Sequence, residues 1–202
     1  MKHCKRIFIQ GFLIAFILMQ IFSCSESTPI PRPRGYFRIV LPERSYKKFD
    51  SVSYPYTFEY PGYAAIERYK HKNSKPFWVN IKFPQFKGTM HISYQPVKND
   101  LETFIDDART FANKHIAKAT AINDSVIIDP DRKMYGMIYD IFGSDAASPY
   151  QFYLTDSTKN FVRGALYFEV LPNNDSLAPV IDFIREDIRH LIHTFRWKEK
   201  GK

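Results

Sequence analysis

Cysteine is scarce: the 202-residue chain has two, Cys4 and Cys24. That excludes a disulfide-stapled small fold and a multi-cysteine zinc module. Its 8 glycines form neither a Walker-type phosphate loop nor a dinucleotide fingerprint. No Gly-x-Ser-x-Gly elbow and no His-Glu-x-x-His pair occurs. No excess of one charge dominates either. Lys and Arg number 29 against 21 Asp and Glu, a net charge of +8. Three of those cations, Lys2, Lys5 and Arg6, precede the first acid, and the rest are spread without the stripe that a nucleic-acid surface needs. What remains is an ordinary globular balance, 45% hydrophobic and 25% charged, in a length that suits one main folding unit.

A long hydrophobic run is also missing. The apolar stretch Ile7–Phe22 is interrupted by Gln10, Gly11 and Gln20. As a helix it spans about 24 Å, short of the roughly 30 Å hydrocarbon core. A basic start, a brief apolar run and a small residue before a break describe a secretory signal. The break reads Ile21-Phe22-Ser23-Cys24 and resembles a bacterial lipoprotein cleavage box, with Phe22 as its departure from the commonest form. The resemblance implies that residues 1–23 are removed and that Cys24 carries the lipid. Each buried methylene contributes about 0.8 kcal/mol, so several acyl chains make a durable tether. An uncleaved anchor with Cys24 as bystander is the competing reading. Residues 24–35 form a spacer in which Pro29, Pro31 and Pro33 favour extended chain and Arg32 and Arg34 keep it soluble or touch anionic lipid.

Period-two alternation then predicts strands at Phe37–Leu41, Tyr56–Tyr60, Phe77–Phe83, Met90–Gln95, Ser125–Asp129, Lys133–Phe142, Tyr150–Thr155 and Phe161–Val170. The link Pro84–Gly88 reads as a hairpin. Met134–Phe142 is apolar on both sides, which predicts a central strand with both faces covered. Helical spacing joins Leu101, Phe104, Ile105, Ala108, Phe111, Ala112 and His115, with Asn99 as the expected N-cap. A second stripe runs Leu177, Ile181, Ile184, Ile188, Ile192 and Phe195, with Pro179 expected in the first turn. The order predicts α+β: one antiparallel-rich sheet with two main helices packed on it, in a single domain over residues 36–198. Phe58-Glu59-Tyr60-Pro61 and Thr194-Phe195-Arg196-Trp197 resemble segments of the Mog1/PsbP-like sandwiches.

Chemistry is thinly marked. Glu186, His190 and His193 share one side of the second helix, where a carboxylate and two imidazoles can hold zinc. The same spacing describes a solvated polar face with an i, i+4 pair. Trp78, Tyr94 and Tyr153 are candidates for a flat platform that stacks on sugar rings, against the alternative that they are core. Asp-Ser pairs recur before aliphatic residues or threonine and are turn chemistry by default. They also resemble an O-glycan acceptor pattern of exported Bacteroidetes proteins, which makes Ser51, Ser125, Ser157 and Ser176 candidate acceptors. Nothing in the pattern calls for a cofactor.

Three longer strings carry a family resemblance: Pro31-Arg32-Pro33-Arg34-Gly35-Tyr36-Phe37-Arg38-Ile39, Lys75-Pro76-Phe77-Trp78-Val79-Asn80-Ile81-Lys82-Phe83-Pro84 and Gly164-Ala165-Leu166-Tyr167-Phe168. They resemble the gliding motility lipoprotein GldD family of Bacteroidetes. The resemblance implies a non-enzymatic envelope protein on the periplasmic face of a membrane, tethered through Cys24. It also implies partners among gliding motility and type IX secretion proteins; the missing basic stripe already argues for no nucleic acid. Glu26 is the only acid in the spacer, which argues against export to the cell surface. A glycan-binding module or envelope hydrolase, using Trp78 or the Glu186–His193 face, is the alternative.

Overall fold

Alternating burial is the signature that the strands carry through into three dimensions. In the computed structural model, residues 39–68 and 75–198 are described. The leader, Cys24, the spacer and the start of the expected Phe37–Leu41 strand lie outside them. Residues 39–41 carry no strand. In chain order the elements are β1 (Tyr46–Phe49), β2 (Tyr56–Pro61), β3 (Ala65–Arg68), β4 (Val79–Phe83), a 3-10 turn at Pro84–Phe86, β5 (Gly88–Pro96), α1 (Leu101–Asn113), β6 (Ala121–Asp129), β7 (Met134–Phe142), β8 (Tyr150–Thr155), β9 (Asn160–Phe168), α2 (Asn174–Thr194) and β10 (Arg196–Trp197).

The α+β expectation is met, with one difference: the described strands form two antiparallel sheets rather than one. The larger has the order β3-β4-β5-β9-β8-β7-β6 and the smaller the order β1-β2-β10. Three short strands were not legible. β1 and β3 are four-residue segments, half and mostly exposed respectively, and β10 has two residues. They are defined by pairing with β2 or β4 rather than by an apolar pattern of their own. β7 is not central but next to the edge. The fully buried strand is β8, in which Gln151 and Thr155 sit among apolar residues. Apolar content on both sides of a strand reports what covers its faces, not its rank in the sheet.

Each face of the large sheet has its own core. Val79, Ile81, Phe83, Met90, Ile92, Phe152, Leu154, Val162 and Leu166 meet Tyr56 and Phe58 of the small sheet and Ile184, Ile188 and Leu191 of α2. Burying each such side chain contributes about 1.5–3 kcal/mol relative to leaving it in water. On the other face Tyr139, Ile141, Tyr153 and Phe161 pack under Ala108 and Ala112 of α1. Gly164 of β9 stands opposite Phe152, and a Cβ there would lie 2.3 Å from the phenyl ring. The ring is therefore accommodated by the missing side chain.

Both helices start differently from the sequence expectation. For α1 the N-cap is Asp100, while Asn99 takes a left-handed φ of 64°. The Asp100 carboxylate accepts from the Lys98 N–H at 2.7 Å, a local turn bond that competes with a cap. α2 begins at Asn174 with Asn173 as N-cap, so Pro179 falls in its second turn. One rung of the helical ladder is lost there, at a point near enough to the end for the rest to continue.

Candidate functional site

On the side of α2 that looked solvent-facing, Glu186 and His193 are exposed, and His190 between them meets the small sheet. His190 Nε2 lies 2.7 Å from the Glu59 carboxylate on β2, and its ring stacks on Tyr46 of β1 with centroids 3.6 Å apart. Glu186 instead accepts from Arg189 at 2.6 Å. His193 is exposed, and its backbone carbonyl takes the Arg132 and Arg196 guanidiniums. Glu186, His190 and His193 are thus not gathered into a metal site, and no cluster of three ligating side chains occurs among the described residues. Helical spacing placed them on one side correctly. It could not show that a sheet residue 131 positions upstream would claim the middle one.

The residue that matters on this surface is Asp187, which the sequence reading passed over. It is 1% exposed and accepts from the hydroxyls of Tyr46, at 2.9 Å, and Tyr63. Arg44 lies 3.4 Å from the same carboxylate and stacks on Phe183 at 4.6 Å. Burial, and then the hydrogen bond to Asp187 and its charge, push the Tyr46 hydroxyl up to about 12 and raise Tyr63 as well. Both phenols therefore stay protonated and donate. The arrangement clasps the small sheet to α2. With both donors anchored on one carboxylate, it has the chemistry of a structural lock rather than of a proton shuttle.

Trp78, Tyr94 and Tyr153 are not coplanar neighbours. The Trp78 indole donates to the Tyr94 carbonyl at 2.9 Å. Tyr94 is 7% exposed, points to the α2 side and donates to Asn160 at 2.7 Å. Tyr153 is 8% exposed under α1, stacked on Phe161. The two tyrosines sit on opposite faces of one sheet, so no shared platform forms. Of the candidate acceptor serines, Ser125, Ser157 and Ser176 are exposed and Ser51 is half-buried. At one of them the turn chemistry is explicit: Asp156 accepts the N–H groups of Thr158, Lys159 and Asn160. Cys24 lies outside the described residues.

The most exposed apolar feature of the large sheet is its β6 edge. Val126 is 65% and Ile128 70% exposed, on the same side of a nine-residue strand. Among the described residues nothing pairs with the outer side of β6. The strand has no Pro and no Lys, two devices that normally blunt such an edge. Its far end is held rigid. Asp129 takes the Arg132 guanidinium at 2.6 Å, and Arg132 reaches on to the carbonyl of His193 at the C-terminus of α2. A cation there also suits the negative end of the helix.

These features define an α+β sandwich with a structural clasp and an open sheet edge. The solution structure of cyanobacterial PsbP from Synechocystis sp. PCC 6803 has a similar fold, with a TM-score of 0.50 at 11% identity. The match covers 78% of this chain and 95% of that one. No curated protein matches the sequence significantly. The sequence pattern of the family described as gliding motility lipoprotein GldD matches residues 26–197. The chain belongs to that family, a component of gliding motility and not a known enzyme family. Among the described residues, no helix is long and apolar enough to cross a membrane.

Proposed function

We propose that this chain is a lipid-anchored component of the gliding machinery, linked to type IX secretion, that acts by docking rather than catalysis. Cys24 tethers it to the periplasmic face of a membrane, and the folded unit presents β6 to a partner. The observation that carries this reading is the open nine-residue edge with Val126 and Ile128 exposed beside it. The occupant is an extended segment of another motility or secretion envelope protein, added as an eighth strand next to β6. Main-chain hydrogen bonds then supply affinity, and alternate side chains supply specificity. Val126 and Ile128 suit apolar residues on that segment, and Asp124, on the same side, suits a cation. A patch of about 800 Å² per partner is enough for a specific interface.

The test places a photo-crosslinking amino acid at position 126 or 128 of the full-length lipoprotein in living cells. A motility or secretion subunit is captured from both positions, and Cys24→Ala abolishes the capture by releasing the protein from the membrane. Membrane-attached protein that captures no such subunit from either position overturns the docking surface. Ser51, Ser125, Ser157 and Ser176 remain proposed O-glycan acceptors. The intact mass of the native protein decides this: a value equal to polypeptide plus lipid removes all four.

A further inference from the structure

α1 packs over β8 and β9, and beside it the same sheet face carries Asn80, His91, Ser93, Gln95 and Arg163. Between these residues and the helix lies a cavity of about 420 Å³, bounded on the helix side by Phe104, Asp107 and Phe111. Small-molecule sites occupy roughly 300–1,000 Å³. Arg163 is the unusual member. Three arginines among the described residues are half-buried, Arg132, Arg163 and Arg185. Arg132 pairs with Asp129 at 2.6 Å and Arg185 with Asp140 at 2.9 Å. Arg163 has no carboxylate within ion-pair distance among the described residues. One of its N–H groups donates to Gln151 at 2.5 Å, its guanidinium stacks on Phe111 at 4.6 Å, and the neutral Tyr167 hydroxyl is its other polar neighbour. Gln151 is 1% exposed, so this bond fixes the guanidinium against the sheet. A partly desolvated cation without a counter-charge is costly, and it is the residue type best shaped to take a carboxylate in a two-point grip.

The remaining wall narrows the ligand. Asn80, Ser93 and Gln95 offer neutral amides and a hydroxyl, groups that suit sugar hydroxyls. Asn80 is held by His91 Nδ1 at 2.8 Å, and Gln95 by Lys75 at 3.0 Å. Asp107 is exposed on the helix side of the same cavity and disfavours a doubly charged phosphate there. Lys114, on the Phe111 ring at 4.8 Å, partly offsets it. We propose that this cavity binds a sugar bearing a carboxylate, a uronic acid, with Arg163 holding the carboxylate and Asn80, Ser93 and Gln95 holding ring hydroxyls. The proposal is independent of the β6 docking surface, which lies at the other end of the sheet order.

Calorimetric titration of the full-length lipoprotein in nanodiscs tests it. The probes are glucuronate, galacturonate and mannuronate, the matching neutral hexoses, glucose 6-phosphate and acetyl-alanyl-alanine. At least one uronate binds, its neutral hexose binds at least tenfold more weakly, and Arg163→Gln weakens the uronate at least tenfold. Asp107→Asn, a change at an exposed position, tightens the uronate two- to fivefold. A trisaccharide of the binding uronate that exceeds the monomer identifies a polysaccharide as the source, and equal affinity identifies the free sugar. The idea is overturned if no uronate binds, if the phosphate or the peptide is preferred, or if uronate affinity is unchanged by Arg163→Gln. An Arg163→Gln protein that fails to fold leaves Asp107→Asn as the deciding variant, and unchanged affinity there is equally fatal.

Discussion

Replacing Asp187 by alanine removes the acceptor shared by two tyrosine hydroxyls and leaves Arg44 beside a gap. Arg44 is itself exposed, so its Coulombic share is small and screened. The loss comes mainly from the two donors, left half-buried without a partner. Asp187→Ala is expected to cost about 2–4 kcal/mol, seen as a lower urea midpoint with an unchanged slope. A midpoint within error of the parent would show that the clasp is dispensable. Gly164 is another position under tight steric control. Valine there drives branched carbons into Phe152 and is expected to destabilise by about 2–4 kcal/mol. Neither residue announced itself in the sequence. Asp187 looked like one more acid on a helix, and its partners lie 124 and 141 residues away.

Among the elements, the β8–β9 turn depends on Asp156. Its carboxylate is raised by burial, but the N–H groups of Lys159, Asn160 and Thr158 outweigh that and hold it below the ordinary 3.8. A depressed aspartate stabilises the fold above the ordinary value and loses that contribution as pH falls through the folded-state one. Asp156→Ala is expected to cost about 1–2 kcal/mol at neutral pH, with a smaller penalty near pH 3, read from paired urea titrations. The β6 edge gives the opposite expectation. Lysine at Ile128, which is 70% exposed, should leave the unfolding midpoint within about 0.5 kcal/mol while abolishing capture by motility partners. A large stability change would mean that Ile128 is core. The long alternating strands and both amphipathic helices were legible because periodicity reports which faces are covered. β1, β3 and β10 were not, since their existence rests on a neighbour's hydrogen bonds. For the same reason Arg163 could be assigned to a sheet face, but its lack of an acid partner could not be foreseen.

For the molecule as a whole, acid is the condition to which the fold should respond first. Burial, and then Lys82, lower His91 below its ordinary 6.5; burial, and then Arg163, lower His115 likewise. Both imidazoles are therefore neutral in the fold at neutral pH. Between the folded and ordinary values the unfolded chain binds more protons, so stability falls as pH drops through 6.5. Thermal unfolding followed at pH 7.5, 6.5 and 5.5 should show a falling midpoint, and His91→Gln with His115→Gln should flatten that slope. A midpoint that stays level in the parent protein would contradict the assignment.

The small sheet is completed by the final strand. β2 pairs with β10 through Thr57–Arg196 and Tyr56–Trp197, and Glu59 waits for His190. A nascent chain carries the aromatic side chains of β1 and β2 through most of its length before their covering helix exists. Such late closure delays folding until synthesis is nearly finished. The hydrophobic surface of β1 and β2 therefore stays open until the last residues are made, and the C-terminal strand acts as the latch that closes it.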